Sequence, residues 1–126
     1  MSASRDFDAK ATDVRAARMF AVDASAGWGV KLADVETVVG ELAANAYVHA
    51  QTSFTVSLTH FDSRVSIEVA DANPHFPEIA EDQPVDSLHG RGLHMVQAIA
   101  TAWGARPTDV GKVVWAELAA RNAVAS

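Results

Sequence analysis

The sequence predicts an α+β fold, a two-layer sandwich with helices on one face of a mixed, mainly antiparallel sheet. The predicted elements follow the order helix, helix, strand, strand, loop, helix, strand. The strands occur as neighbouring alternating runs joined by short turn segments, which is the pattern of hairpins. At 126 residues the chain has the length of one domain, so residues 1–126 are predicted to share one core. Residues 1–10 are polar and are expected to be loose.

Two amphipathic helices are predicted in the first half of the chain. Residues 12–26 contain helix-forming residues, with Thr12 as the candidate N-cap and GWG as the stop. The second helix is predicted to begin at the N-cap Asp34 and to continue to residue 50. Its apolar positions recur at helical spacing and form one stripe: Val35, Val38, Val39, Leu42 and Ala46. This stripe predicts the side of the helix that packs in the core.

The stretch ELAANAYVHA in the second helix carries an unusual polar series. Glu41, Asn45 and His49 recur at every fourth residue, so they lie along one helix face. At about 100° per residue, this face borders the apolar stripe instead of opposing it. The three side chains are therefore expected at the edge of the buried interface, where the wall of a pocket would be.

The strands and the third helix are predicted from alternation and from turn residues. FTVSL and VSIEV each alternate apolar with polar residues, and HFDSR between them predicts a hairpin. Asp71 follows the second run and opens a proline-containing loop, residues 72–89. GRGLHMVQAIATAWG predicts a glycine turn, a helix and a stop at Gly104. KVVWAEL predicts a last strand, paired either with ARP through the turn TDVG or with an earlier strand.

Three of these features have residue types suited to nucleotide chemistry, although each also has an ordinary structural role. Asn45 offers a hard oxygen ligand for Mg²⁺ and Glu41 can accept a proton from a hydroxyl, but both can also be plain surface residues. Asp71 can accept a hydrogen bond from an exocyclic amine, or it can cap the loop that follows. The backbone around Gly90 and Gly92 can approach a phosphate, or the glycines can form a simple turn.

In this order, ELAANAYVHA, VADANP, GRGLHMV and GKVVWAEL resemble the histidine-kinase-like ATPase domains of the GHKL superfamily. More narrowly, they resemble its branch of anti-sigma regulatory serine/threonine kinases. The resemblance implies a Bergerat-type ATP-binding fold with ATP and Mg²⁺ as cofactors. It implies Glu41 as the general base, Asn45 as the Mg²⁺ ligand and Asp71 as the partner of the adenine amino group. It extends the nucleotide site to a further set of residues: His49, Asn73, Pro74, Gly90, Arg91, Gly92, Leu93 and His94.

The resemblance implies a kinase that phosphorylates a Ser or Thr on an anti-anti-sigma protein and sequesters a sigma factor, with a homodimer as a plausible assembly. One alternative is a binding module of the same fold that regulates a partner by surface contact without catalysis. It is motivated by the run DANPH after the second strand, which has neither glycine of the superfamily's Asp-x-Gly-x-Gly motif. Another alternative is an ATP hydrolase without a protein acceptor. Val113 also stands where family members commonly carry a Thr near the adenine.

Composition and charge argue against several other classes. The net charge of −6 disfavours a general nucleic-acid or anionic-membrane binder, and the absence of Cys excludes disulfides and Cys-ligated metals. No apolar run reaches membrane-spanning length and the N-terminal residues lack a signal peptide's apolar centre, so the chain is expected in the cytoplasm. The five histidines include no HExxH pair, so they are not expected to form a metal site.

Overall fold

The computed structural model describes residues 1–73 and 88–121. Along this part of the chain the elements are β1 (Ser2–Phe7), α1 (Ala11–Ser25), α2 (Leu32–Asn45), a π-helical segment (Ala46–Ala50), β2 (Phe54–Phe61), β3 (Arg64–Asp71), α3 (Leu88–Ile99), β4 (Ala102–Pro107) and β5 (Lys112–Ala119). The described strands form one sheet in the order β1-β2-β3-β5-β4, and each neighbouring pair is antiparallel. The predicted α+β fold with its mainly antiparallel sheet is confirmed.

The hydrophobic core lies between the helices and one face of the sheet. Side chains of β2, β3 and β5 alternate between this face and the opposite one, as the pleat of a strand requires. The inward residues, each exposed by 3% or less, include Val56, Leu58, Val65, Ile67, Val69, Val114, Ala116 and Leu118. The predicted stripe of α2 belongs to the same cluster, and each of its five members is exposed by 1% or less. The predicted packing side of this helix is therefore confirmed.

Both N-terminal helices are present, but each begins slightly earlier than predicted. Neither Lys10 nor Lys31, the residues that precede them, makes a side-chain cap bond. The predicted cap Asp34 lies instead in the first turn of α2, where its charge is favourable to the helix dipole. The longer of the two, α1, has 15 residues, and no helix in the described ranges is long and apolar enough to cross a membrane.

The N-terminal segment differs from its prediction, because Ser2–Phe7 is a strand and not a loose tail. It pairs along its whole length with β2. Phe7 stacks on Phe54 with 5.5 Å between ring centroids and lies edge-on to Phe20 at 6.1 Å. The polar composition concealed the strand because most of its side chains are solvated at the sheet edge. The single buried aromatic at its end anchors it to the core.

The glycine-rich segment before the third helix also differs from its prediction. The helix α3 begins at Leu88, so Gly90 and Gly92 lie within the helix and not in a turn before it. Gly104 is not a helix stop but a residue of β4 that pairs with Trp115. A Cβ at Gly104 would lie 2.9 Å from the Trp115 ring, so glycine leaves room for the indole to lie across the neighbouring strand.

Both predicted hairpins are present. The strands β2 and β3 are joined at Asp62, which has a positive φ of 50°. The strands β4 and β5 are joined through TDVG, where the Thr108 amide donates to the Gly111 oxygen at 3.0 Å. The sequence left two pairings open for the last strand, and both are present: β5 pairs with the strand that contains ARP on one side and with the earlier strand β3 on the other.

Candidate functional site

Two of the predicted site residues, Glu41 and Asn45, lie one turn apart at the end of α2. Both are partly exposed, while Leu42 and Ala46 beside them are buried. They therefore lie at the edge of the core, as their spacing predicted. The Asn45 Nδ2 atom is buried and has no hydrogen-bond partner in the described part of the chain. Because a buried polar atom without a partner is unfavourable, this amide is suited to binding a ligand.

The chain continues beyond Asn45 as the π-helical segment, a widened turn that often accompanies functional sites. This segment ends at Gln51, whose backbone is left-handed with a φ of 57°. Just after it, the Thr52 hydroxyl accepts a hydrogen bond from the Ala72 amide at 3.1 Å. This bond ties the end of the helical segment to the residue that follows β3, so it brings the end of α2 towards Asp71.

Asp71 ends β3 on the helix-covered face of the sheet. It follows Val69 and Ile67 at two-residue spacing, and both of these side chains are buried in the core. The Asp71 side chain is itself only 3% exposed. Asp71 and Asn45 therefore lie on the same side of the sheet, and the bond between Thr52 and Ala72 places them at the same end of it.

The Asp71 carboxylate forms a buried ion pair with Lys112, the first residue of β5. The two residues lie directly opposite each other in the ladder, and Lys112 Nζ is 3.0 Å from Asp71 Oδ1. The Lys112 side chain is 6% exposed. Charges at this depth are tolerated when they are paired and hydrogen-bonded. Lys112 Nζ meets the second condition, because it also donates to the backbone oxygen of Asn73 at 3.0 Å.

A further hydrogen bond closes a turn directly after the strand. The Asn73 amide donates to Asp71 Oδ1 at 2.9 Å, so Asp71 has the loop-capping role that was its structural alternative. Both hydrogen bonds that the described residues make to the carboxylate end on Oδ1. This leaves Oδ2 to accept from another donor. Loop capping uses Oδ1 of Asp71, so it does not exclude the predicted hydrogen bond from a ligand to Oδ2.

Gly111 sets the distance between the end of β3 and the start of β5. A Cβ at this position would lie 2.1 Å from the Asp71 backbone oxygen and 2.6 Å from Ala72 Cα. Both neighbours are backbone atoms that no side-chain rotation can move, so the approach requires glycine. The same approach brings Lys112, the next residue, within bonding distance of Asp71.

Lys112 was not among the predicted site residues; the prediction concerned the next residue, Val113, which stands where family members commonly carry a Thr near the adenine. The ladder puts Lys112 opposite Asp71, so Val113, the next residue of the strand, faces the other side of the sheet. The Thr-to-Val difference at residue 113 therefore does not affect the surroundings of Asp71. A signal for Lys112 was present, because it occupies an inward position of an otherwise apolar alternating run: Val114, Ala116 and Leu118. A charge at such a position requires a buried partner.

The other predicted site residues are described less completely. Leu93 is 3% exposed and its side chain belongs to the core. His94, beside it on α3, is exposed. Gly90, Arg91 and Gly92 lie within α3. Pro74 lies outside the described residues, as do the side chains of His49 and Arg91.

A cleft of about 590 Å³ lies beside Asp71, on the side of β1 and α1. Its acidic lining residues are Asp6, Asp8, Asp13 and Asp71. Of the described residues, neither Glu41 nor Asn45 lines it. Arg5 also lines this cleft, but the carboxylates outnumber it and repel phosphates, so the cleft is an unfavourable place for a triphosphate group.

Asn45 is the residue predicted to bind Mg²⁺. Within residues 1–73 and 88–121, no three His, Asp or Glu side chains are grouped to hold a metal ion. A single amide oxygen nevertheless fits Mg²⁺, because this ion keeps several waters and takes further ligands from phosphates. The two ends of an Asn amide are similar in shape, so rotation of the Asn45 amide can direct its oxygen to the place of the unpartnered Nδ2.

Comparison with known proteins identifies the family. The model of the histidine kinase-like ATPase domain matches residues 7–118, which is most of the chain. The protein therefore belongs to the histidine kinase-like ATPase domain family. This confirms the broader part of the resemblance on which the site residues were predicted. No curated protein matches the chain.

A solved structure has a similar fold: the RsbU and RsbW domains of Rv1364c from Mycobacterium tuberculosis. The TM-score is 0.69 at 17% sequence identity. The match covers 97% of this chain and 34% of that one, so the present chain spans about a third of its length. At this identity the likeness shows a shared fold and carries no conclusion about activity.

Proposed function

We propose that this domain binds Mg²⁺-ATP and transfers its γ-phosphoryl group to a Ser or Thr of a partner protein. The observation that carries the proposal is the placement of Asn45 and Asp71. Asn45 has a buried amide nitrogen without a hydrogen-bond partner among the described residues, and the bonds that those residues make to the Asp71 carboxylate leave Oδ2 available as an acceptor. Both residues lie at the same end and on the same side of the sheet. The sequence resemblance expects Mg²⁺ at Asn45 and the adenine amino group at Asp71, and membership of the histidine kinase-like ATPase domain family is compatible with these roles.

Each residue then has a separate task in binding. Asp71 accepts a hydrogen bond from the adenine amino group through Oδ2, and Asn45 contributes its amide oxygen to Mg²⁺. Backbone amides in the first turn of α3, around Gly90, are donors for the phosphates. Asn45 would hold the Mg²⁺ ion, which would supply positive charge to offset the negative charge that develops on the phosphates during transfer.

Glu41 is the proposed general base. It is partly exposed and lies one turn before Asn45, so an acceptor hydroxyl can reach it from solvent. Its carboxylate takes the hydroxyl proton while the hydroxyl oxygen bonds to the γ-phosphorus and the bond to the bridging oxygen breaks, which releases ADP. Most of the rate enhancement comes from positioning the two reactants and from charge neutralisation.

The proposed partners are an anti-anti-sigma protein as phosphoryl acceptor and a sigma factor that the domain sequesters, with a homodimer as the assembly. The support is the order of the four sequence motifs, which resembles the anti-sigma branch of the superfamily. The fold likeness to a structure that contains an RsbW domain is compatible with this assignment.

Glu41→Ala tests the proposed base. We expect it to lower phosphoryl transfer to a cognate partner by about a hundredfold or more and to leave ATP binding nearly unchanged. Glu36→Gln is the matched control, because Glu36 is an exposed acid on the same helix. Transfer by the Ala variant at the rate of the unmodified protein would show that Glu41 is not the base.

A non-catalytic binding module is the second candidate, and the backbone after Asp71 favours it. The Ala72 amide is bonded to Thr52, and both the amide and the oxygen of Asn73 are bonded within the turn. The backbone groups of Asn73, which stands at the first glycine position of the superfamily motif, are therefore already engaged. Isothermal titration separates the two candidates, because micromolar binding of Mg²⁺-ATP supports the kinase and no binding at millimolar nucleotide supports the module. These limits differ by about 4 kcal/mol. Turnover without a protein acceptor would instead indicate an ATP hydrolase.

A further inference from the structure

We infer that Lys112 is a positioning residue that determines which purine the site prefers. By fixing which side-chain atom of residue 71 faces the base, it selects a purine with an amino group at position 6 over one with an oxo group there. The inference rests on the proposed function and adds to it a residue outside the predicted site. Lys112 does not contact the base in this proposal; it acts through Asp71.

The first step is that the Asp71 carboxylate is held from two directions. Lys112 Nζ and the Asn73 amide both donate to Oδ1, at 3.0 and 2.9 Å. Nζ is in turn held by the Asn73 oxygen, and Gly111 keeps the two strands close. Two donors that converge on one position require an acceptor there. The position of Oδ1 is therefore committed to an acceptor, and only the position of Oδ2 remains for a ligand.

The second step follows from purine chemistry. Adenine carries a hydrogen-bond donor at its 6-position, whereas hypoxanthine and guanine carry an acceptor oxygen there. A guanine that turned its N1–H and amino group towards the carboxylate would need both oxygens, and Oδ1 is occupied. A single carboxylate oxygen thus matches the amino group and opposes the oxo group. Losing one hydrogen bond to a charged group weakens binding by roughly tenfold to a hundredfold, so ATP is expected to bind better than ITP by that factor.

The third step yields a test that separates positioning from a structural role. In Asp71→Asn the two ends of the side chain differ, and the donors of Lys112 and Asn73 require the amide oxygen at the former position of Oδ1. The amide nitrogen must then take the former position of Oδ2, so the group that faces the base changes from acceptor to donor. We expect the preference to invert, with ITP binding better than ATP by about tenfold. Asp71→Asn/Lys112→Gln leaves only the Asn73 amide to orient the side chain, so the amide turns more readily and the ratio should move back to within about threefold of one.

The measurement is calorimetric titration of the folded full chain with the Mg²⁺ complexes of ATP, ITP and GTP. Circular dichroism of each variant checks the fold. Asp71→Asn/Lys31→Gln is the matched control, because Lys31 is exposed and its removal changes the net charge equally. The inversion should persist in this control.

The inference is supported if Asp71→Asn prefers ITP over ATP, if Asp71→Asn/Lys112→Gln loses this preference, and if the control Asp71→Asn/Lys31→Gln keeps it. An Asp71→Asn protein that still prefers ATP, or that loses both nucleotides equally, overturns it while leaving ATP binding by the unmodified chain intact. If the unmodified chain binds no nucleotide, the proposed function fails and this inference fails with it.

Lys112→Gln alone serves if Asp71→Asn does not fold. It removes one of the two donors to Oδ1 and leaves only the Asn73 amide there, so Oδ1 has more capacity to accept from a base and GTP affinity should rise relative to ATP by at least about threefold. A structural role alone would weaken both nucleotides by the same factor, and an unchanged ratio would therefore refute the positioning role.

Discussion

Replacing Gly111 with Ala tests the close approach between the ends of β3 and β5. The added Cβ would lie 2.1 Å from the Asp71 oxygen, whereas ordinary contact begins at 3.4 Å. The strands must therefore move apart by more than 1 Å at this point, since the opposing atoms belong to the backbone. A shift of this size stretches the 3.0 Å bond between Lys112 and Asp71 beyond hydrogen-bonding distance.

The expected loss of stability follows from these contacts. Overpacking of a close contact typically costs about 1–3 kcal/mol. The weakened ion pair leaves two buried charges poorly satisfied, which places the expected value near the upper end, about 3 kcal/mol. For a domain of this length, such a loss lowers the midpoint of thermal unfolding by roughly 10 °C.

Urea unfolding followed by circular dichroism measures the effect, and Gly40→Ala is the matched control. A Cβ at Gly40 would meet the flexible stem of Arg18 at 2.8 Å, which can move aside. The gain in helix propensity of about 1 kcal/mol offsets that adjustment, so the control should stay within about 1 kcal/mol of the unmodified protein. Equal stability of the two Ala variants would refute the argument that the Gly111 contact is closed by backbone.

Two further predictions concern the sheet edge and its outer face. Phe7→Ala should lower the free energy of unfolding by about 3–4 kcal/mol, because the ring is 5% exposed and contacts two other aromatic rings. Phe61→Ala, at 42% exposure, is its control and should cost less than about 1 kcal/mol, and equal losses would contradict the anchoring role of β1. Arg106→Ala removes the ion pair between Arg106 and Glu68, whose side chains are 50% and 36% exposed. The free energy of unfolding should therefore fall by less than about 1 kcal/mol, and this loss should vanish in 1 M salt. A loss of several kcal/mol that salt does not reduce would show that the pair is shielded from solvent.

Local periodicity was sufficient for α2 and for the hairpin of β2 and β3, whereas it left the pairing of the last strand open. The helical repeat, which depends on residues only a few positions apart, predicts both the buried stripe of α2 and the location of Glu41 and Asn45 at the edge of the core. Alternation likewise predicted which side chains of β2 and β3 point inward. The edge strand β1 was missed, because its pairing depends on β2, which lies about 50 residues further along the chain, and its own sequence is mostly polar.

The sequence by itself determined the fold class and the polar face of α2. It also carries the resemblance that predicts Asp71 as the partner of the adenine amino group. Only the tertiary structure decided that Lys112, and not Val113, lies beside Asp71. Lys112 and Asp71 are 41 positions apart in the sequence. A shift of one residue in the pairing of β3 with β5 would move every side chain of β5 to the opposite face of the sheet. Register is set by the packing of the whole sheet against its helices. A repeat within a single strand shows that two faces exist but leaves open which residue of another strand lies opposite.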